Sequence, residues 1–182
     1  LGLLIMTVRE LPQSRDYLLA GRWAKEGDYR LTPHSLRDRS VGIIGLGRIG
    51  KAIATRCEAF GLPVSYLGRN KQPGVPYEYF SDPVALASSV DTLICVTPGT
   101  AETQNMINAV TVSKMKKGMV IINVARGKLI DEDALLEGLQ NGQIAAAALD
   151  VYQTEPPTGN PLIGLSNVIH TPHLGASTKE AQ

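Results

Sequence analysis

Three residues have types that together could do chemistry: Arg126, Glu155 and His173. A histidine can pass a proton near neutral pH. A carboxylate beside it can hold one ring tautomer, and an arginine fork can grip a substrate carboxylate in a way lysine cannot. Such a trio can act on a carbonyl acid. Each member also has a plain reading: a solvated loop arginine, a glutamate that shapes the turn before Pro156-Pro157, a hydrogen-bonded structural histidine. Placement favours the joint reading. Arg126 follows the apolar run 120–124, Glu155 follows the run 144–149 and Asp150, and His173 follows the run 168–170. If these runs are parallel strands, their C-terminal ends share one edge, and ligands bind at that edge. His34 and His170 have no evident partner and read as structural.

A second constellation is Gly45-Leu46-Gly47-Arg48-Ile49-Gly50, a G-x-G-x-x-G pattern. The pattern alone is weak. Here the apolar Val41–Ile44 precedes it and an amphipathic segment follows, which is the context that makes it specific for a dinucleotide. Gly45 permits the tight turn, Gly47 lets backbone approach a pyrophosphate, and Gly50 lets the helix lie against the strand. The helix N-terminus then offers free N–H donors to the phosphates. Further on, where an acid would bind the ribose 2′-hydroxyl of NAD, the chain reads Gly68-Arg69-Asn70-Lys71. The acid is missing, and Arg69 and Lys71 are cations where NADP carries its extra phosphate.

The elements that must position these residues alternate along the chain. Residues 1–24 read as helical with a break near Pro12. Leu1, Leu4, Ile5, Val8 and Leu11 share a face, and Ser14 is a candidate cap for a second segment. After an irregular polar stretch, strands are expected at 41–44, 63–67, 92–96, 120–124, 144–149 and 168–170, with a short one near Tyr77–Phe80. Helices are expected at 48–60 (Ile49, Ile53, Cys57 and Phe60 forming the buried face), at 83–88 capped by Asp82, as a turn at 112–116, and after Asp131. This alternation implies βαβ units and an α/β fold of the Rossmann type, a doubly wound parallel sheet in three α/β/α layers.

Composition bounds the function classes. The chain has 182 residues, enough for one domain, with 43% hydrophobic and 19% charged residues and a net charge of +1. That balance gives no electrostatic footprint for nucleic acid or an anionic membrane. No apolar run approaches a membrane span. Cys57 and Cys95 are far apart, make no metal spacing, and read as buried reduced thiols in a reducing, cytoplasmic compartment. The chain opens inside a helical pattern and closes on Ser177–Glu180, the spacing of a capping box. It therefore reads as an excerpt of a longer protein.

The motifs carry a resemblance. Gly-Leu-Gly-Arg-Ile-Gly at 45–50, Val-Thr-Pro-Gly-Thr-Ala-Glu-Thr at 96–103, Ile-Asn-Val-Ala-Arg-Gly at 122–127, Leu-Asp-Val-Tyr-Gln-Thr-Glu-Pro at 149–156 and Thr-Pro-His-Leu-Gly at 171–175 occur in order. The chain resembles the coenzyme-binding domain of the D-isomer-specific 2-hydroxyacid dehydrogenases over nearly all its length. Gly68-Arg69 is most similar to the glyoxylate/hydroxypyruvate reductase branch.

The resemblance implies an NAD(P)-dependent oxidoreductase, preferring NADP over NAD, acting on a small 2-oxo or 2-hydroxy acid. His173 would be the general acid, Glu155 its hydrogen-bonded partner, and Arg126 the carboxylate ligand. The cofactor would touch Gly45, Gly47, Arg48, Ile49, Gly50, Gly68, Arg69, Asn70, Lys71, Val96, Thr97, Pro98, Thr103, Val124, Ala125, Arg126, Asp150, His173 and Gly175, with Asp150 beside the nicotinamide. The resemblance also implies a homodimer, with the apolar face of residues 1–19 as a candidate contact. A substrate domain would be formed by chain before and after residues 1–182. Two other readings fit the same motifs: a non-catalytic, dinucleotide-sensing module resembling the C-terminal-binding-protein corepressors, and an oxidation of phosphite or formate.

Overall fold

The computed structural model describes residues 1–37 and 39–179. Seven strands form one sheet: β1 (Val41–Ile44), β2 (Val64–Leu67), β3 (Glu78–Phe80), β4 (Thr92–Cys95), β5 (Met119–Asn123), β6 (Ile144–Leu149) and β7 (Val168–His170). Their spatial order is β3-β2-β1-β4-β5-β6-β7, and every neighbouring pair is parallel. The central strands are continuous apolar runs because both faces are covered. Alternate side chains divide between two cores. Ile44, Leu93, Cys95 and Ile121 face one core. It is closed by α5 (Pro83–Ser89), α6 (Ala109–Lys114) and α7 (Glu132–Gln140). Val41, Ile43, Ile94 and Ile122 face the other, closed by α1 (Gly2–Val8) and α4 (Arg48–Ala59). Helix, sheet and helix give the three expected layers. The strand order reverses between β1 and β4, which opens a crevice at the C-terminal ends of those two strands.

Local chemistry explains the boundaries. The Asp82 carboxylate accepts from the Ala85 N–H at 2.8 Å and starts α5. Asp131 accepts from Asp133 and Ala134 and starts α7, whose first turn also carries Glu132 and Asp133. These are the caps the sequence predicts.

Four expectations need correction. The buried face of α4 is Gly50, Ala54 and Cys57, while Ile49 is 66% and Phe60 53% exposed. The reason is the approach of the helix to the strand. A Cβ on Gly50 would lie 2.2 Å from the Gly45 carbonyl oxygen, so the helix docks through its small residues and Ile49 turns outward. Ser14 does not cap a helix. α2 (Leu11–Leu19) begins earlier, with Pro12 in its first turn where a missing N–H costs no helical bond, and the Ser14 hydroxyl donates to the Leu11 carbonyl. Asn108 caps α6, which therefore begins before Val112; its side chain accepts from Val110 and Thr111. Finally, the apolar face of residues 1–19 is only partly free. Leu4 and Val8 are in this chain's own core. Within that span the exposed apolar surface is Leu11, Leu18 and Leu19 of α2, joined by Trp23 of α3 (Arg22–Glu26). The expected capping box at Ser177–Glu180 extends past the described residues.

Candidate active site

The phosphate loop is shaped by contacts that glycine alone allows. Gly45 has φ +100°, and a Cβ there would sit 2.9 Å from the Thr97 backbone. Thr97 thus presses against the loop, as expected for a wall of the crevice. Gly47 caps α4 in extended backbone, and a Cβ on it would meet nothing within 4 Å. The space above it is open, so an anion can approach the first N–H groups of α4. The loop is cross-linked to the segment after β2: the Gln72 side chain donates to the Leu46 carbonyl at 2.8 Å, and the Gln72 N–H donates to the Tyr66 hydroxyl. Arg69, Asn70 and Lys71 are exposed beside it. The space at Gly68 takes an ordinary van der Waals contact at 3.6 Å, so its small size is not forced by packing. These features fit a dinucleotide phosphate approaching the loop.

Along the same sheet edge, Arg126, Glu155 and His173 line one cavity of about 460 Å³ with Gly99, Gly127 and Tyr152. The His173 Nδ1 meets Glu155 Oε2 at 2.8 Å. That fixes the ring through Nδ1. Glu155 is itself held, because its Oε1 accepts from the Tyr152 N–H at 3.0 Å. The His173 bond, then the Tyr152 bond, hold the Glu155 carboxyl below the ordinary glutamate range. His173 adopts the left-handed region at φ 51°. Asp150, 3% exposed, holds this turn. Its carboxylate accepts from the Thr171 hydroxyl at 2.6 Å and from the Leu174 and Gly175 N–H groups at 2.9 and 3.0 Å. Arg126 sits over Gly99, where a Cβ would come within 3.1 Å of the arginine stem.

Beside this cavity is an apolar one of about 280 Å³, lined by Ile53, Ile94, Ile122, Val124, Asp150 and Gly175 and bounded by Leu1–Leu4. The expected cofactor residues Val96, Thr97, Pro98, Val124 and Ala125 follow β4 and β5 at this edge. Thr103 closes their loop; its hydroxyl donates to the Pro98 carbonyl at 2.8 Å.

Several contributors escaped sequence reasoning. Asn123, 1% exposed, shapes the turn to Arg126: its amide donates to the Arg126 carbonyl and accepts from the Ala125 N–H. It is a polar residue in an otherwise apolar strand, and that was the available signal. Gln72 and Gly127 had no signal before the loops were placed. His170 does have a partner: its Nδ1 meets the Tyr152 hydroxyl at 3.0 Å, and burial holds its pKa down, consistent with a structural role. His34 lies at the opposite, N-terminal end of the strands. Both thiols are free and buried, and burial pushes Cys95 up to about 12. Among the described residues, no helix is long and apolar enough to cross a membrane.

A parallel sheet reversing at β1 and β4, with a glycine loop and helix start in the crevice, defines a dinucleotide-binding α/β domain. Comparison with known proteins specifies it. Residues 1–175 match the family described as D-isomer specific 2-hydroxyacid dehydrogenase, NAD binding domain, and the chain belongs to that family. It is 41% identical over 177 residues to a glyoxylate/hydroxypyruvate reductase of Arabidopsis thaliana, covering 97% of this chain and 54% of that protein. It is 43% identical over 181 residues to a D-3-phosphoglycerate dehydrogenase of Bacillus subtilis, covering 96% of this chain and 33% of the other. Among solved structures, the NADPH-dependent glyoxylate/hydroxypyruvate reductase of Sinorhizobium meliloti in complex with NADP and malonate superposes with a TM-score of 0.95 at 46% identity, over 99% of this chain and 56% of that one. The chain thus spans about half the length of the reductases it matches. The corepressor-like reading gains no support from these comparisons.

Proposed function

We propose that residues 1–182 are the coenzyme-binding, proton-transferring part of an NAD(P)-dependent reductase of small 2-oxo acids such as glyoxylate or hydroxypyruvate, completed by a substrate domain formed from flanking chain. The observation that carries this reading is the 2.8 Å His173–Glu155 pair sharing a cavity with Arg126, next to an open phosphate loop. When bound, the nicotinamide supplies or accepts the hydride. Arg126 binds the substrate carboxylate and orients the keto group. His173, protonated, donates from Nε2 to the keto oxygen and takes the proton back in oxidation. Glu155 keeps Nδ1 protonated and balances the imidazolium charge. Asp150, through the 171–175 turn, sets the height of His173 above the sheet edge and borders the apolar cavity.

Arg69 and Lys71 favour NADP over NAD, since both are cations and no acid stands at the end of β2 to repel a 2′-phosphate. The protein works in the cytoplasm as a homodimer, with α2 and α3 contributing the contact. Cofactor and substrate are tested together by adding glyoxylate or hydroxypyruvate to the complete gene product with NADPH and with NADH and following nicotinamide absorbance. Faster oxidation of NADPH is expected. No oxidation of either cofactor with either acid would reject the reductase reading.

A further inference from the structure

The catalytic trio comes from three separate loops, and something must hold them in register. Between the Arg126 loop and the Glu155 loop, the backbones touch: a Cβ on Gly127 would fall 1.9 Å from the Tyr152 carbonyl carbon and 2.3 Å from the Gln153 nitrogen. Contact alone permits sliding. A directional tie comes from Glu132, in the first turn of α7. Its Oε1 accepts from the Gln153 backbone N–H at 2.9 Å, and its Oε2 accepts from the Asn160 side chain at 2.7 Å. The Gln153 side chain returns the tie, donating to the Ile130 carbonyl at 2.8 Å. Two neighbouring amides are thus held by two different carboxylates: Tyr152 N–H by Glu155 and Gln153 N–H by Glu132. Moving one moves the other, and Glu155 in turn holds His173.

We infer that Glu132, which touches neither the candidate substrate cavity nor the phosphate loop, is a positioning residue of this site: it locks the loop bearing Glu155 to the loop bearing Arg126. The inference rests on the reading of Arg126, Glu155 and His173 as the reacting groups. The lock needs an acceptor pair. Asn160 Oδ1 already accepts from the Leu162 N–H, so the amide cannot turn over freely to suit a donor at position 132.

The test uses the complete gene product, with Glu132→Ala and Glu132→Gln read against Glu155→Gln, Arg126→Ala and His173→Ala. NADPH binding, carried by the phosphate loop that Glu132 does not touch, checks that each variant is folded. Glu132→Ala should bind NADPH normally yet lose about 10- to 100-fold in kcat, the penalty of a misplaced catalytic group. Its KM for the 2-oxo acid should change less. Its kcat should fall toward that of Glu155→Gln. Glu132→Gln keeps an acceptor for Gln153 but sets an amide against Asn160, so it should be intermediate, and it serves alone if Glu132→Ala fails to bind NADPH. A Glu132 variant that binds NADPH normally and keeps kcat within twofold would overturn the inference. If Arg126→Ala and His173→Ala also keep full activity, the functional reading itself has failed.

Discussion

Glu155 is the residue whose titration is most exposed to test. Its carboxyl is held low by His173 and Tyr152. Because the folded form titrates below the unfolded one, the pair's contribution is present above the ordinary glutamate range and is lost as pH falls through the lowered value. Loss of reductase activity in acid should therefore set in only below the ordinary glutamate range. The same bond orients the proton donor, since Glu155 holds His173 through Nδ1 at 2.8 Å. Glu155→Gln should lower kcat for reduction about 10- to 100-fold, the penalty of a misplaced catalytic group; an unchanged kcat would break the assigned pairing. Arg69 makes a second residue-level expectation. Arg69→Ala should weaken NADPH binding about tenfold, as expected for loss of an exposed charge-assisted bond, and leave NADH nearly unaffected. Equal losses by titration calorimetry would move Arg69 to the adenosine that both cofactors share.

Glycines decide how the elements meet. Gly127→Ala would drive a methyl into the Tyr152 backbone, and backbone cannot swing aside as a side chain can. A loss of about 1–3 kcal/mol is expected in denaturant unfolding, with activity falling further than stability because Arg126 and Glu155 separate. Wild-type stability and turnover in that variant would mean the loops are not coupled. The strands, α5 and α7 were legible because each announces itself locally, by an apolar run or by an acid at the cap. The packing face of α4 was not. Its larger residues suggested the buried stripe, whereas close approach to β1 selected Gly50, Ala54 and Cys57. The trio was legible as residues at strand ends; Glu132, Gln72 and Asn123 were not, because their roles depend on which loops lie side by side. The face of α1 shows the same limit, since nothing local says whether Leu4 and Val8 meet this chain's sheet or another's.

For the molecule as a whole, exposure at the site has a consequence. The His173 and Glu155 side chains are 49% and 38% exposed in residues 1–182 by themselves. Water then competes for every charged contact and orientation is loose. The 182-residue segment on its own should bind NADPH but reduce glyoxylate far more slowly than the complete gene product; equal turnover would show that no further domain is needed. Assembly is a separate matter. α2 and α3 bury no side chain within this chain, yet carry Leu18, Leu19 and Trp23 more than half exposed. Replacing Leu18 and Trp23 by glutamate should convert a dimer to a monomer in sedimentation, and an unaltered sedimentation coefficient would place the contact elsewhere.

The reversal of strand order between β1 and β4 also bears on how such a protein can change over generations. Residues 68–71 hang from β2 on one side of the reversal, while Arg126, Glu155 and His173 hang from β5, β6 and β7 on the other. They share no hydrogen-bond partner among the bonds described. Distant sites without shared partners combine additively in free energy. Which currency the protein spends and which acid it accepts are then separately heritable, and a lineage can exchange one without relearning the other.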